Sequence, residues 1–235
     1  MLYLLLIMSL SIIIPCYNEN STINTVLERV RNHAPDAEII IIDDCSTDGT
    51  RNWLKQKQED FNFILLEQEK NSGKGSCLRL GFQHATQPIV IIQDADLEYD
   101  PADYKKLIQP ILDKKADVVY GSRFKGDQAQ RVLYFWNFIA NKFLTFLSNL
   151  FNNLNLTDME TCYKVFRREC IQSLKLTENR FGIEPEITAK LAKKKFRIYE
   201  VGISYQGRRF EEGKKIGVKD GIWAIWCILK YGIFS

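Results

Sequence analysis

Histidine is almost absent: His33 and His84 are the only two in 235 residues, and neither stands beside another reactive side chain. Both read as helix-surface residues, so any acid-base chemistry falls to carboxylates or to a substrate. The six cysteines (Cys16, Cys45, Cys77, Cys162, Cys170, Cys227) contain no C-x-x-C pair, which argues against a zinc site and for buried thiols in a reducing cytoplasm. The Gly-rich stretch NSGKG (residues 71–75) lacks the four-residue spacer and the following Ser or Thr of a Walker A loop, and no G-x-G-x-x-G follows the first apolar run. A P-loop NTPase and a dinucleotide dehydrogenase are therefore disfavoured. No apolar run reaches the roughly 20 residues that span a bilayer. The opening, residues 1–14, is apolar apart from Ser9 and Ser11, but has neither the basic start nor the small-residue cleavage site of a signal peptide. Residues 1–7 read as an extra turn, a strand extension or an upstream start, with Met8 the natural first residue. A formal net charge of +3 is too balanced to suggest nucleic acid.

What is present is a series of β-branched runs that end in acid. Ile89 to Ile92 reads as a strand buried on both faces, and it empties into Asp94, Asp96 and Glu98. In open α/β sheets the carboxyl edge of the strands is where ligands bind. Asp94 and Asp96, with only Ala95 between them, can both turn toward one divalent cation, and hard oxygen ligands suit Mg²⁺ or Mn²⁺ bridged to substrate phosphates. An Asp-rich turn capping the helix after Pro101 is the alternative reading.

The rest of the chain repeats this pattern. Residues 9–14 give a first strand, and residues 21–33 a helix with Ser21 or Asn20 as N-cap. Ile39 to Ile42 is a second strand running into Asp43 and Asp44, residues 61–66 a third, and residues 116–120 a further one that ends beside Arg123. Alternating strands and helices with short connections predict a parallel sheet with right-handed crossovers. The NSGKG loop opens a helix, where backbone amides and Lys74 could hold phosphate, or it is simply a turn. Arg123 is either a solvated arginine or a fork for oxygen anions.

After residue 126 the character changes. Residues 131–154 form a helical pattern with more aromatic and aliphatic residues than one core-facing stripe needs, so part of it must face a second subunit, lipid or another part of the chain. Residues 193–219 carry nine Lys or Arg against three Glu, a cluster suited to anionic head groups or an acceptor phosphate. Residues 220–234, with Trp223 and Trp226, read as an amphipathic interfacial helix or as a helix docked on the core. The expected organisation is a nucleotide-binding half (1–125), an acceptor-binding half with the interface helix (126–217) and a juxtamembrane helix (218–235).

Seven motifs, taken in order, cover nearly the whole chain: IIPCYNE (13–19), IIDDCSTDGT (41–50), NSGKG (71–75), QDADLEYDP (93–101), GSRF (121–124), DMETCYKVF (158–166) and GRRFEEGKKI (207–216). Their order resembles the family 2 inverting glycosyltransferases of the GT-A fold, in particular the dolichyl-phosphate mannose synthase-like polyprenyl-phosphate glycosyltransferases. The resemblance implies an α/β, Rossmann-like, mostly parallel sheet flanked by helices, with amphipathic helices at a membrane interface. It implies that Pro15, Tyr17, Glu19, Ile42 and Asp43 or Asp44 hold the base and ribose of a nucleotide sugar, joined by Lys74, Asp94, Ala95 and Asp96. Asp94, Asp96 and Glu98 would bind Mg²⁺ or Mn²⁺. Arg123, Arg208 and Lys214 would meet the donor diphosphate or the acceptor phosphate, and Asp96, Arg123 and Asp158 would carry catalysis, Asp158 either as a base or by orienting the acceptor loop. The implied partners are a nucleotide sugar such as GDP-mannose or UDP-glucose, a dolichyl or undecaprenyl phosphate, the cytoplasmic face of a membrane and, as an open option, a second copy of the chain. Many relatives carry spanning helices beyond the catalytic domain, so a chain stopping at Ser235 reads as peripheral or as separated from such a part. A transferase acting on a saccharide or protein hydroxyl, and a non-catalytic nucleotide-sensing scaffold, are the competing expectations.

Overall fold

A computed structural model describes residues 10–126, 131–132, 134–207 and 217–234. Residues 1–7, Arg208 and Lys214 lie outside the described residues. The Ile-rich runs form the centre of a seven-stranded sheet: β1 (Leu10–Cys16), β2 (Glu38–Asp43), β3 (Phe63–Glu67), β4 (Ile89–Ile92), β5 (Val118–Ser122), β6 (Lys164–Arg167) and β7 (Ile198–Gly202), in the order β3-β2-β1-β4-β6-β5-β7. Strands β1, β2 and β4 are buried on both faces, as an unbroken β-branched run requires. Each buried Ile there contributes about 1.5–3 kcal/mol. Helices α1 (Ile23–His33), α2 (Thr50–Phe61), α3 (Lys74–His84) and α4 (Tyr104–Leu112) follow the strands in alternation. The sequence order of the strands reverses between β1 and β4, which opens a crevice at their carboxyl ends.

Six strands run as the alternation predicts, whereas β6 is antiparallel to β4 and β5. Its first residue, Lys164, pairs with Tyr120 near the carboxyl end of β5, so the loop leading into β6 enters the sheet at the crevice edge. Helix α1 begins two residues later than expected. Thr22 is its N-cap, without a side-chain cap bond, and neither Ser21 nor Asn20 takes that position.

Helix α5 (Phe135–Asn152) carries apolar residues on both its faces. Its buried residues are Thr145 and Ser148, while Phe135, Trp136, Phe138, Ile139, Phe143, Phe146 and Leu150 are exposed. The inward face packs Leu144, Leu147 and Phe151 against the core and adds polar bonds: Lys142 Nζ donates to the Thr157 carbonyl at 3.0 Å, the Met159 amide to Thr145 Oγ1 at 3.1 Å, and the Leu156 amide to Asn149 Oδ1 at 3.0 Å. After α6 (Arg168–Gln172) comes α7 (Ile183–Lys193); the C-terminal helix α8 (Val218–Ile233) packs against α5 and α7 and buries Ala224, Cys227, Ile228 and Tyr231. Trp223 is one of its anchors, because the indole N–H donates to buried Glu178 at 3.0 Å, and Lys230 and Tyr231 bind the same carboxylate. The Trp223 ring itself stays exposed, as do Trp226, Ile222, Ile233 and Phe234. Among the described residues no helix is long and apolar enough to cross a membrane.

Candidate active site

The carboxyl ends of β1, β2, β4 and β5, with the start of β6, bring most of the expected residues to one crevice. Pro15 and Ile42 are register partners, as are Cys16 and Asp43, so the first two acidic turns are adjacent from the pairing alone. Tyr17 follows β1 and is half-buried. Glu19 is buried, its amide donates to Thr50 Oγ1 at 3.0 Å, and its carboxylate lies 2.9 Å from Thr22 Oγ1. The same hydroxyl is 2.7 Å from the Ala95 carbonyl, which ties the β1 turn to the acidic loop.

Asp43 and Asp44, equivalent in the sequence, have different surroundings. Both oxygens of Asp44 are taken by the glycine loop, from the Ser72 amide at 2.7 Å and the Gly73 amide at 2.8 Å. Burial raises its pKa despite these two bonds. Asp43 accepts from Arg51 Nε at 2.5 Å through Oδ2, while its Oδ1 is buried with no hydrogen-bond partner. An orphaned buried acceptor of this kind is costly unless a ligand donates to it.

The glycine loop is packed rather than open. Gly73 has a φ of +94°, and a Cβ there would stand 2.6 Å from the Asn179 carbonyl, so only glycine fits. Because the Ser72 and Gly73 amides serve Asp44 and the Ser76 amide serves Asn179, these three donors are committed within the protein. What the loop presents instead is the Lys74 side chain, whose Nζ lies 2.9 Å from Asp94 Oδ1 and 3.5 Å from Glu184 Oε1.

The acidic loop itself is braced from below. Buried Gln93 donates to the Asp94 carbonyl at 2.9 Å and accepts the hydroxyls of Tyr104 and Tyr163. Asp96 Oδ1 accepts the Glu98 amide at 3.2 Å across Leu97, which has a positive φ of 64°. Glu98 takes the Tyr205 hydroxyl at 2.8 Å, and its carbonyl takes the Gln206 amide. Asp100 caps the turn after Pro101 through the Ala102 amide, so the helix-capping alternative holds for that aspartate. Among the described residues no group of three His, Cys, Asp or Glu could hold a metal ion. Two carboxylates on one loop still fit Mg²⁺ or Mn²⁺, which typically take one or two protein carboxylates and complete their shell with water and phosphate.

Arg123 and Asp158 form one buried unit. Asp158 accepts from Arg123 Nε and Nη2, each at 2.7 Å, and from the Arg123 amide at 3.0 Å. A further bond from Nη2 reaches Asn141 on α5 at 3.2 Å, and the Tyr205 ring lies 5.2 Å from the guanidinium. Burial opposes the charge on Arg123, but Asp158 outweighs it and holds the pKa well above the ordinary value.

The chain belongs to glycosyl transferase family 2. The family model matches residues 11–174, which contain the acidic loop and the Arg123–Asp158 unit. The chain is 27% identical to the undecaprenyl-phosphate mannosyltransferase of Micrococcus luteus over 87% of its length and 86% of that protein's. It is 29% identical to the UDP-N-acetylglucosamine–dolichyl-phosphate N-acetylglucosaminyltransferase of Methanococcus voltae, over 94% of this chain and 96% of the other. The fold matches that of glucosyl-3-phosphoglycerate synthase from Mycobacterium tuberculosis, crystallised with Mn²⁺, uridine diphosphate and phosphoglyceric acid. The TM-score is 0.75 at 18% identity, covering 97% of this chain and 79% of that one. The protein is thus a glycosyltransferase of GT-A architecture.

Three charged residues of this glycosyltransferase's crevice were not singled out from the sequence. Lys164 is fully buried and pairs with Glu184, one of two first-turn glutamates of α7, and Glu200 accepts the Thr157 and Asp158 amides. The available signal was a lysine inside a strand of Tyr163, Val165 and Phe166, and a helix start in which Glu184 stands among Ile183, Pro185 and Ile187.

Glu160 has one oxygen buried without a partner, and its pKa is pushed up to about 7 by burial first and by Glu184 second, against the pull of Lys164 and Arg123. Below its ordinary value of 4.5 the carboxyl is protonated in both folded and unfolded chains. Between there and pH 7 only the unfolded chain ionises, so the folded state binds the extra proton and loses stability as pH rises. Urea unfolding of Glu160→Gln should therefore show a gain over wild type that grows by roughly 3 kcal/mol from pH 4 to pH 8.

Proposed function

We propose that this glycosyltransferase moves a sugar from a nucleoside diphosphate onto a polyprenyl phosphate, with inversion, at the cytoplasmic face of a membrane to which it binds peripherally. The observation that carries this reading is helix α5, with its exposed aromatics and its inward polar bonds. Its inward face holds Arg123 and the loop of Asp158, and its aromatic face points outward, so one element offers a cation for a phosphate and an apolar face for the chain attached to it. The names of the two curated relatives, both transferases acting on polyprenyl phosphates, support the same acceptor class.

On this reading Pro15, Tyr17, Glu19, Ile42 and Asp43 surround the base and ribose, with the orphaned Asp43 Oδ1 accepting a base N–H. Lys74, Asp94, Ala95 and Asp96 line the diphosphate. A divalent cation would be held by Asp94 and Asp96, with Glu98 alongside, and when bound it neutralises charge developing on the departing diphosphate. Arg123 receives the acceptor phosphate. A phosphate monoester, with a second pKa near 6, is largely dianionic at neutral pH and attacks the anomeric carbon without a strong base. That matches the commitment of both Asp158 oxygens to Arg123; transfer to a hydroxyl would need a base, and Asp158 is placed to position.

The test is nucleotide release from GDP-mannose, UDP-glucose and UDP-N-acetylglucosamine, each offered with undecaprenyl or dolichyl phosphate and with soluble saccharide or phosphoglycerate acceptors. Release with one donor and a prenyl phosphate, absent with the soluble acceptors, is expected. Turnover on a soluble acceptor and none on prenyl phosphate would overturn the assignment.

A further inference from the structure

Four buried or half-buried charges alternate from the first residue of β6 to the acidic loop. Lys164, wholly buried with the Tyr120 ring 4.9 Å from its ammonium, pairs with Glu184 and the Thr161 carbonyl. The other oxygen of Glu184 is buried without a hydrogen bond and lies 3.5 Å from Lys74 Nζ. Lys74 in turn reaches Asp94 at 2.9 Å. Its backbone is fixed at the first residue of α3, immediately after Gly73, so the ammonium is delivered to Asp94 by the packed loop.

We infer that Lys74 is an internal stand-in for the divalent cation: its ammonium occupies Asp94 until cation and donor load together, and Glu184 keeps it within reach of both positions. This rests on the reading of Asp94 and Asp96 as cation ligands. A dication coordinates oxygen at about 2.1 Å, and an ammonium 2.9 Å from the same carboxylate competes for its lone pairs and repels the ion. The ammonium, held between Asp94 and Glu184, leaves Asp94 when another anion takes it, and the donor diphosphate is the anion that arrives in this crevice. Glu184, anchored by Lys164, is the carboxylate that prevents the ammonium from being stranded while it changes partners. The consequence is thermodynamic coupling: cation alone binds weakly, cation with nucleoside diphosphate binds tightly, and the difference depends on Lys74.

The measurement is Mn²⁺ binding to the full chain, followed by the electron paramagnetic resonance signal of free Mn²⁺, without nucleotide and then with UDP or GDP. In Lys74→Met, which leaves Glu184 paired with Lys164, Mn²⁺ alone should bind roughly tenfold tighter than in wild type, and the gain from nucleoside diphosphate should shrink by a similar factor. Lys74→Arg, keeping the charge, should behave as wild type. Asp96→Asn separates the two levels of the argument. If it weakens Mn²⁺ binding while Lys74→Met binds Mn²⁺ no tighter than wild type, the cation site stands and the stand-in is refuted. Should Asp96→Asn leave Mn²⁺ binding unchanged, the cation ligands are misassigned and the stand-in falls with them.

Discussion

Replacing Asp96 by Ala is expected to lower turnover by about 10³-fold, the scale seen when one electrostatic stabiliser of a departing anion is removed. The fold should barely notice. Asp96 is half-buried on a loop, its Oδ1 accepts the Glu98 amide at 3.2 Å, and the loop is braced independently by Gln93 and by the pairing of Glu98 and Tyr99 with Tyr205 and Gln206. A change in unfolding free energy within about 1 kcal/mol is expected for such a site. Asp96→Asn is the sharper control, because its amide oxygen still accepts the Glu98 amide and only the charge is lost. If the charge holds a cation, the two variants fail alike; if Asp96 merely shapes the loop, Asn retains activity. Product formation with saturating Mn²⁺ decides between them, and near-wild-type turnover in Asp96→Ala would remove the cation from the mechanism.

The fold was legible because its signals are local. Ile39–Ile42 and Ile89–Ile92 are too apolar to face water on either side, and each is bounded by an acidic turn, so strand, burial and polarity of the crevice edge follow from consecutive residues. The direction of β6 was not legible. Nothing within Lys164–Arg167 distinguishes a parallel from an antiparallel neighbour; that is decided by the connection through α5, which returns the chain to the crevice edge instead of the opposite one. The surplus of aromatics in residues 131–154 did announce an outward apolar face. That the inward face also carries polar residues, with Asn141, Lys142, Thr145 and Asn149 bonding to Arg123 and residues 156–159, depends on partners far along the chain.

The crevice shows the same division. The acidic pair at the end of β2 was visible, but which aspartate remains for a ligand was not, since Asp44 is consumed by amides 28 and 29 residues away. Trp223 illustrates the converse. Its composition suited an interface, yet its indole nitrogen is spent on Glu178 while the ring stays about as exposed as that of Trp226. Side chains with two chemical faculties, apolar body and polar tip, cannot be assigned from pattern alone.

Removing Asp158 should strongly destabilise the fold. Its carboxylate is fully buried and accepts three hydrogen bonds from Arg123, which is itself buried apart from about a tenth of its surface. Asp158→Ala leaves that guanidinium with Asn141 Oδ1 and the faces of Phe124 and Tyr205, none of which carries a negative charge. Breaking a buried pair from one side costs about 3–5 kcal/mol, more than removing both partners together. Chemical unfolding should therefore rank Arg123→Met/Asp158→Leu above Asp158→Ala, with a coupling of about 0.5–3 kcal/mol between the two positions. Transfer is lost in both, because the phosphate-binding fork is displaced in one and absent in the other. Asp158→Asn discriminates the chemical roles. An amide oxygen can still accept one guanidinium N–H but cannot take a proton, so a positioning Asp158 predicts reduced affinity for the prenyl phosphate with an unchanged shape of the pH–rate profile. Loss of the acidic limb of that profile in Asp158→Asn would instead make Asp158 the base, and would return a hydroxyl acceptor to consideration.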